Sequence, residues 1–193
     1  GNARAQSELG RCCLFGKGVA RNYEEALRWC RTAAQQGMAS AKNNLGYMYE
    51  NGYGVVVNLE EAVHWYRESA EQNNKYAQAN LGHLYETGRG VATNHEEALK
   101  WYRKAADQGN ASALKFLGDC YKKGYGVPKD PEQAVQLYHI AAQGGNSGAQ
   151  FELGLMYQFG RGVAVNLEEA VHWYHKSAEQ NNQHAQVNLG YLY

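Results

Sequence analysis

Between residues 39 and 51 the apolar side chains fall at Ala41, Leu45, Met48 and Tyr49. Steps of four, three and one gather them within about one third of a helical turn, so this stretch is predicted to be an amphipathic helix with one apolar stripe. Gly52 and Gly54 follow it and supply backbone that other residues reach only at a cost, which ends the helix and turns the chain. A second helical pattern begins at Asn58 and runs to about Glu71, carrying Ala62, Trp65, Tyr66, Ser69 and Ala70.

The same paired pattern recurs along the chain. Leu-Gly stands at Leu9, Leu45, Leu81, Leu117, Leu153 and Leu189, always 36 residues apart. The glycine loop recurs in step, as Gly16-Lys17-Gly18-Val19, Gly52-Tyr53-Gly54-Val55, Gly88-Arg89-Gly90-Val91, Gly124-Tyr125-Gly126-Val127 and Gly160-Arg161-Gly162-Val163. Ala62 has partners at Ala26, Ala98, Ala134 and Ala170. Three markers in one register define a tandem repeat, and each unit reads as a helix A and a helix B.

The helix ends follow from side-chain chemistry. Asn58 can accept an amide hydrogen bond from the first turn of its helix, and Glu61 three residues on predicts a capping box. Asn22, Asn94 and Asn166 repeat the device, while Asp130 followed by Pro131 is its variant. Exits are marked by Gly37, Gly109 and Gly145, with Asn73 and Asn181 as left-handed substitutes. Connectors this short make neighbouring helices antiparallel, and each hairpin needs the next to cover its apolar side. Trp29, Trp65, Trp101 and Trp173 are expected to bury against the small Ala26-type positions.

Composition narrows the function classes. With 44% hydrophobic and 20% charged residues in 193, the chain has material for a core and too little charge for disorder. Lys plus Arg equals Asp plus Glu at 19 each, so no net field draws the chain to nucleic acid. No apolar run approaches the roughly 20 residues that span a bilayer, so membrane insertion is not expected. The chain opens on Gly1 and shows no polar capping helix, from which a piece of a longer array is expected.

The pattern A-x-x-x-L-G-x-x-Y-x-x-G-x-G-V-x-x-N-x-x-x-A-x-x-W-Y-x-x-A-A-x-x-G resembles the Sel-one-like repeat, a relative of the tetratricopeptide repeat, whose period is instead about 34 residues. The expected fold is therefore all-α: a right-handed α/α superhelical solenoid of five helix-turn-helix repeats plus the first helix of a sixth. Its helix pairs are placed at about 3–36, 39–72, 75–108, 111–144 and 147–180, with a lone helix at 183–193, all in one domain. The resemblance implies that helices A line an inner concave groove, and that such proteins act as adaptors in complex assembly, quality control or bacterial signalling.

On that geometry the face of helix A opposite its core stripe meets a partner. In the second repeat it holds Ser40, Asn43, Tyr47 and Glu50, and in the first Arg4, Ser7, Arg11 and Leu14. Later repeats place Tyr76, Ala79, His83 and Glu86, then Ser112, Lys115, Asp119 and Lys122, then Gly148, Phe151, Leu155 and Gln158, then His184, Val187 and Tyr191. Residues 55–85 and 163–193 are near copies differing at seven positions, and three of these, Tyr76/His184, Ala79/Val187 and His83/Tyr191, lie on this face. Phe151, Leu155, Val187 and Tyr191 form an apolar group beside the basic Lys115, Lys122 and Lys123, and such groups often mark partner sites. Asn44, Asn80 and Asn188 flank the face, where binding a peptide backbone and holding neighbouring helices are equally open to them.

Catalytic and metal chemistry has less to stand on. Cys12, Cys13, Cys30 and Cys120 all occupy core slots of the repeat, where a small buried hydrophobe is the simplest reading. No cysteine pair recurs with the period, unlike the secreted, cysteine-rich branch of the family. His139 and His175 occupy the slot of Arg31, Arg67 and Arg103, read as a solvated outer position, and His172-x-x-His175 has no third ligand in view. The pairs Glu60-Glu61 and Glu168-Glu169 sit at helix starts, where the helix dipole accounts for them. The glycine loops lack the Lys-Ser/Thr of a phosphate loop. A non-catalytic scaffold that binds a peptide or protein, with no cofactor, is the expectation; self-association through the ends, and a small-ligand protein or enzyme, are the alternatives.

Overall fold

The computed structural model describes residues 1–192, so the end of the expected lone helix at residue 193 lies outside the described residues. Among them are eleven α-helices and no strand: α1 (Ala3–Phe15), α2 (Tyr23–Gln35), α3 (Ala39–Asn51), α4 (Leu59–Ala70), α5 (Lys75–Thr87), α6 (His95–Asp107), α7 (Ala111–Lys123), α8 (Pro131–Gln143), α9 (Ser147–Phe159), α10 (Leu167–Glu179) and α11 (Gln183–Leu192). Odd-numbered helices are the A helices and even-numbered ones the B helices. The fold class is an all-α solenoid of helix-turn-helix repeats. The chain divides into two compact units, Gly1–Lys104 and a second beginning at Ala105.

Local rules set the helix ends. Asn58 Oδ1 accepts from the Glu61 amide at 3.0 Å, and Asn22, Asn94, Asp130 and Asn166 do the same for their helices. The expected capping box is only half formed. The Asn58 N–H donates instead to the Tyr49 carbonyl at 3.0 Å, tying the start of helix B to the end of helix A, and the Glu61 carboxylate accepts from Trp65 Nε1 at 3.1 Å. The same main-chain tie recurs from Asn22 to Cys13, Asn94 to Tyr85, Asp130 to Tyr121 and Asn166 to Tyr157. Gly52 ends α3 in the left-handed region at φ 73°, and Asn73 and Asn181 adopt φ 63° in the turns that glycines make elsewhere.

In unit 1 the core runs between hairpins. Cys13, Ala26, Cys30, Ala33, Ala41, Leu45 and Met48 form one buried cluster, and Ala62, Val63, Tyr66, Ala70, Ala77, Leu81 and Leu84 another. Its centre differs from the expectation. Tyr66 and Tyr102 are wholly buried, whereas Trp29, Trp65 and Trp101 are only half-buried. Tyr66 lies flat on the glycine of the Leu-Gly pair: a Cβ on Gly46 would come within 2.6 Å of its ring. The second loop glycine has a similar role between hairpins, since a Cβ on Gly54 would lie 2.7 Å from the carbonyl oxygen of Tyr23 at the start of α2.

Unit 2 repeats the scheme. Tyr138 and Tyr174 are wholly buried over Gly118 and Gly154, with Ala134, Ala149, Leu153 and Ala170 around them, and here Trp173 is buried too. Cys30 and Cys120 are buried core thiols, and burial pushes Cys30 up to about 12. Cys12 departs from its expected core position by being half-buried. None of the four cysteines is disulfide-bonded.

A side-chain link missed in the sequence joins successive hairpins. Arg31 Nη2 donates to Tyr49 Oη and Arg67 Nη2 to Tyr85 Oη, both at 2.9 Å. His139 takes the same place in unit 2, with Nε2 2.9 Å from Tyr157 Oη and its ring edge-on to Trp173. It is therefore half-buried, not on the solvated outer surface expected for it, and desolvation lowers its pKa from the ordinary histidine value.

Two outcomes follow. Asn58→Ala removes the Glu61 amide's partner and is expected to cost about 1 kcal/mol in urea unfolding. His139 is neutral in the fold but takes a proton in the unfolded chain as pH falls below about 6.5, so its contribution is complete above that value and is lost as pH drops towards the depressed folded pKa. His139→Arg, which restores the residue of the other repeats, is expected to flatten this part of the stability profile between ~pH 7.5 and ~pH 5.5, read as the difference from the native sequence.

Candidate partner-binding face

Within unit 1 the A helices α1, α3 and α5 lie side by side, and the slots expected to meet a partner carry the links between them. Ser7 Oγ and Ser40 Oγ are 2.7 Å apart, and Asn80 Nδ2 donates to Asn43 Oδ1 at 3.4 Å. Tyr47 is half-buried in an aromatic group, 5.8 Å from Phe15 and 5.6 Å from Tyr53, which stacks in turn on Tyr23. Burial raises the Tyr47 pKa. His83 is half-buried beside Glu86, and Tyr76 is the most open of these residues at 61% exposure. Asn44 lies below the surface against Cys30.

The last slots of α3 and α5 reach the core. Glu50 accepts from the buried Tyr66 hydroxyl at 2.9 Å and from Arg89 Nη1 at 2.7 Å, while Glu86 accepts from Tyr102 at 2.7 Å. Burial first, and the nearby Glu50 second, push the Tyr66 hydroxyl well above its ordinary pKa, so it donates as a neutral phenol. In the first repeat Cys30 replaces the tyrosine and offers no hydroxyl to this slot. The slot there holds Leu14, which is buried in the same cluster as Cys30 and does not face a partner as expected.

In unit 2 the corresponding row lies on α7, α9 and α11. Tyr174 donates to Gln158 at 2.6 Å, as the pattern requires. Tyr138 cannot use Lys122, so its hydroxyl donates to Asp119 one turn earlier, at 2.6 Å. Asp119 is thereby buried, and Lys115 at 2.7 Å and Lys122 at 3.7 Å compensate its charge. Lys122 also reaches Glu152 on α9 at 2.7 Å. Phe151 and Leu155 are half-buried against the core, with Phe151 5.8 Å from both Tyr174 and His184. Val187 and Tyr191 stand open at 55% and 82% exposure.

The geometry therefore separates the predicted residues into three sets. Asn44, Asp119, Lys115, Asn43 and Asn80 are engaged by other side chains, Tyr47, His83, Phe151 and Leu155 are half-buried, and Tyr76, Val187 and Tyr191 present open surface. One further bracing contact had a readable signal: a tyrosine on helix B and an acceptor 16 residues before it recur together in the second, third and fifth repeats. His172 and His175 are exposed on α10, and no group of three or more metal-ligating side chains converges among the described residues. Among those residues no helix is long and apolar enough to cross a membrane.

Comparison with known proteins agrees with this repeat. The Sel1 repeat model matches residues 3–38, 39–74, 75–110, 111–146, 147–182 and 183–193. A Sel1 repeat protein from Oxalobacter formigenes is 41% identical over 97% of this chain and 75% of its own, with a TM-score of 0.90. The protein c5321, a protective antigen present in uropathogenic Escherichia coli strains, is 38% identical with a TM-score of 0.83; the match covers 98% of this chain but only 41% of that protein. Helicobacter pylori cysteine rich protein B is 25% identical over 69% of this chain and 96% of its own, with a TM-score of 0.56. No curated protein matches the chain. The six matched segments cover the sequence from residue 3 to its last residue, and the chain belongs to the Sel1 repeat family.

Proposed function

We propose that this protein is a non-catalytic interaction scaffold which holds a peptide segment or a partner protein on its A-helix faces. Proteins built from Sel1 repeats generally act as protein-interaction scaffolds. The observation that carries the reading is the division of labour on those faces. Polar side chains that would otherwise compete for a ligand are spent on neighbouring helices, as in Asn80 with Asn43 and Asp119 with Tyr138. Large apolar side chains are left open beside them, namely Tyr76 in unit 1 and Val187 and Tyr191 in unit 2. A rigid backbone with exposed aromatic anchors loses little conformational freedom on binding, which is the economy a docking surface needs.

Charge reversal at the open positions tests this. Val187→Glu with Tyr191→Glu, and separately Tyr76→Glu, are expected to leave helicity and unfolding midpoint unchanged, because these side chains are solvent-exposed. Affinity capture from the native cell with the full-length protein is expected to lose its specific partner with at least one of the two variants. Retention of the same partner by both variants would remove the A-helix faces from the reading.

A further inference from the structure

Unit 2 contains a cleft of about 420 Å³ where the α9–α10 glycine loop meets the end of α7 and the start of α8. Lys122, Lys129 and Arg161 contribute three cationic side chains to its wall, Pro131 contributes apolar surface, and the buried Met156 forms its floor.

Unit 1 shows what the repeat does with this place when it is closed by its own charges. There Arg89, in the same loop position as Arg161, donates to Glu50 at 2.7 Å across 39 residues. The residue at the same offset from Arg161 is Lys122. A carboxylate that neutralises the loop arginine in one unit is thus replaced by a second cation in the other. Lys122 is itself balanced by Glu152 at 2.7 Å and Asp119 at 3.7 Å, and Asp119 is shared with Lys115. Asp130, next to Lys129, is held at the helix start by the Gln133 amide at 2.9 Å. Among the described residues Lys129 and Arg161 have no carboxylate within ion-pair distance, so two positive charges remain uncompensated at the cleft. The Arg161 guanidinium lies 5.1 Å over the Phe159 ring, an arrangement that holds its plane while leaving its N–H groups for another acceptor.

We infer that this cleft binds the carboxylate side chains of an acidic peptide segment, with Arg161 and Lys129 as the ligands and Lys122 as the supporting charge. The inference rests on the scaffold reading above and gives it a partner chemistry. Carboxylate geometry matches a guanidinium fork. The mixed wall also suits a glutamate or aspartate, whose methylenes can lie on Pro131 while the charge meets the cations. The cleft joins the A-helix face through Lys122, one of its slot residues, so a polypeptide on that face can place an acidic side chain here.

The test uses the full chain, a blocked glutamate- and aspartate-rich peptide, and its glutamine and asparagine counterpart. Nuclear magnetic resonance titration is expected to move the amides of Lys129 and of residues 160–162 with the acidic peptide and not with the amide version. Lys129→Gln combined with Arg161→Gln changes two exposed side chains, so the fold is retained. The pair is expected to weaken acidic-peptide binding about tenfold or more, and added salt to weaken it further. Unchanged affinity in the double variant, equal binding of the amide peptide, or movement of these amides by inorganic phosphate but not by the acidic peptide would each overturn the assignment. If the acidic peptide fails while Val187→Glu with Tyr191→Glu still abolishes partner capture, the cleft is wrong and the scaffold reading stands; if capture also survives both face variants, both are wrong.

Discussion

A tyrosine ring pressed onto a glycine holds the second to fifth hairpins at their observed spacing. Helix B brings Tyr66, Tyr102, Tyr138 or Tyr174 down on the glycine of the Leu-Gly pair, and there is no room for even one methyl group between them. Close approach buries the ring completely, and complete burial obliges its hydroxyl to find an acceptor, since an unpaired buried hydroxyl costs about 1–3 kcal/mol. Glu50, Glu86, Asp119 and Gln158 are those acceptors, all on the A-helix face. The core therefore reaches through to the surface, and residues that look like a free polar rim are partly committed to the interior.

This commitment shapes what the faces can offer. Where the acceptor slot carries Glu50, the carboxylate also satisfies the loop arginine, and the place is electrically closed. Where the slot carries Lys122, the tyrosine turns to Asp119, and the lysines that surround Asp119 leave the loop arginine without a carboxylate. One change of sign within an unchanged backbone thus redirects a hydrogen bond, buries a carboxylate and opens a cationic cleft. Repeat proteins acquire distinct surfaces in this way without altering the packing beneath them.

Much of the fold was legible in the sequence because its signals are local. The apolar spacing of Ala41, Leu45 and Met48 marked α3 at the bounds it has, and the asparagine caps and left-handed Asn73 and Asn181 stand where side-chain chemistry placed them. Periodicity alone was poorer at deciding which of two adjacent aromatics is central. Trp65 and Tyr66 are both apolar and neighbouring, and the choice depends on how the hairpins cross, which the spacing does not encode. The same limit explains Leu14, read as surface from its slot but buried beside Cys30, and His139, read as solvated but packed between Tyr157 and Trp173. On the candidate face the row of slots was legible, while its division into bracing and open members was legible only for the acceptors that stand 16 residues before a helix-B tyrosine. That division depends on partners 16 to 37 residues away, as for Tyr66 with Glu50 and Asn80 with Asn43.

The seating of tyrosine on glycine is tested most directly by Gly46→Ala in two backgrounds. Helix propensity alone makes alanine the better residue by about 1 kcal/mol. Contact with the Tyr66 ring instead makes the methyl group an overpacking that costs about 1–3 kcal/mol. Urea unfolding is predicted to show destabilisation by Gly46→Ala in the native sequence and a neutral or stabilising effect in a Tyr66→Ala chain, where the ring is gone. Equal effects of the substitution in the two backgrounds would contradict the account.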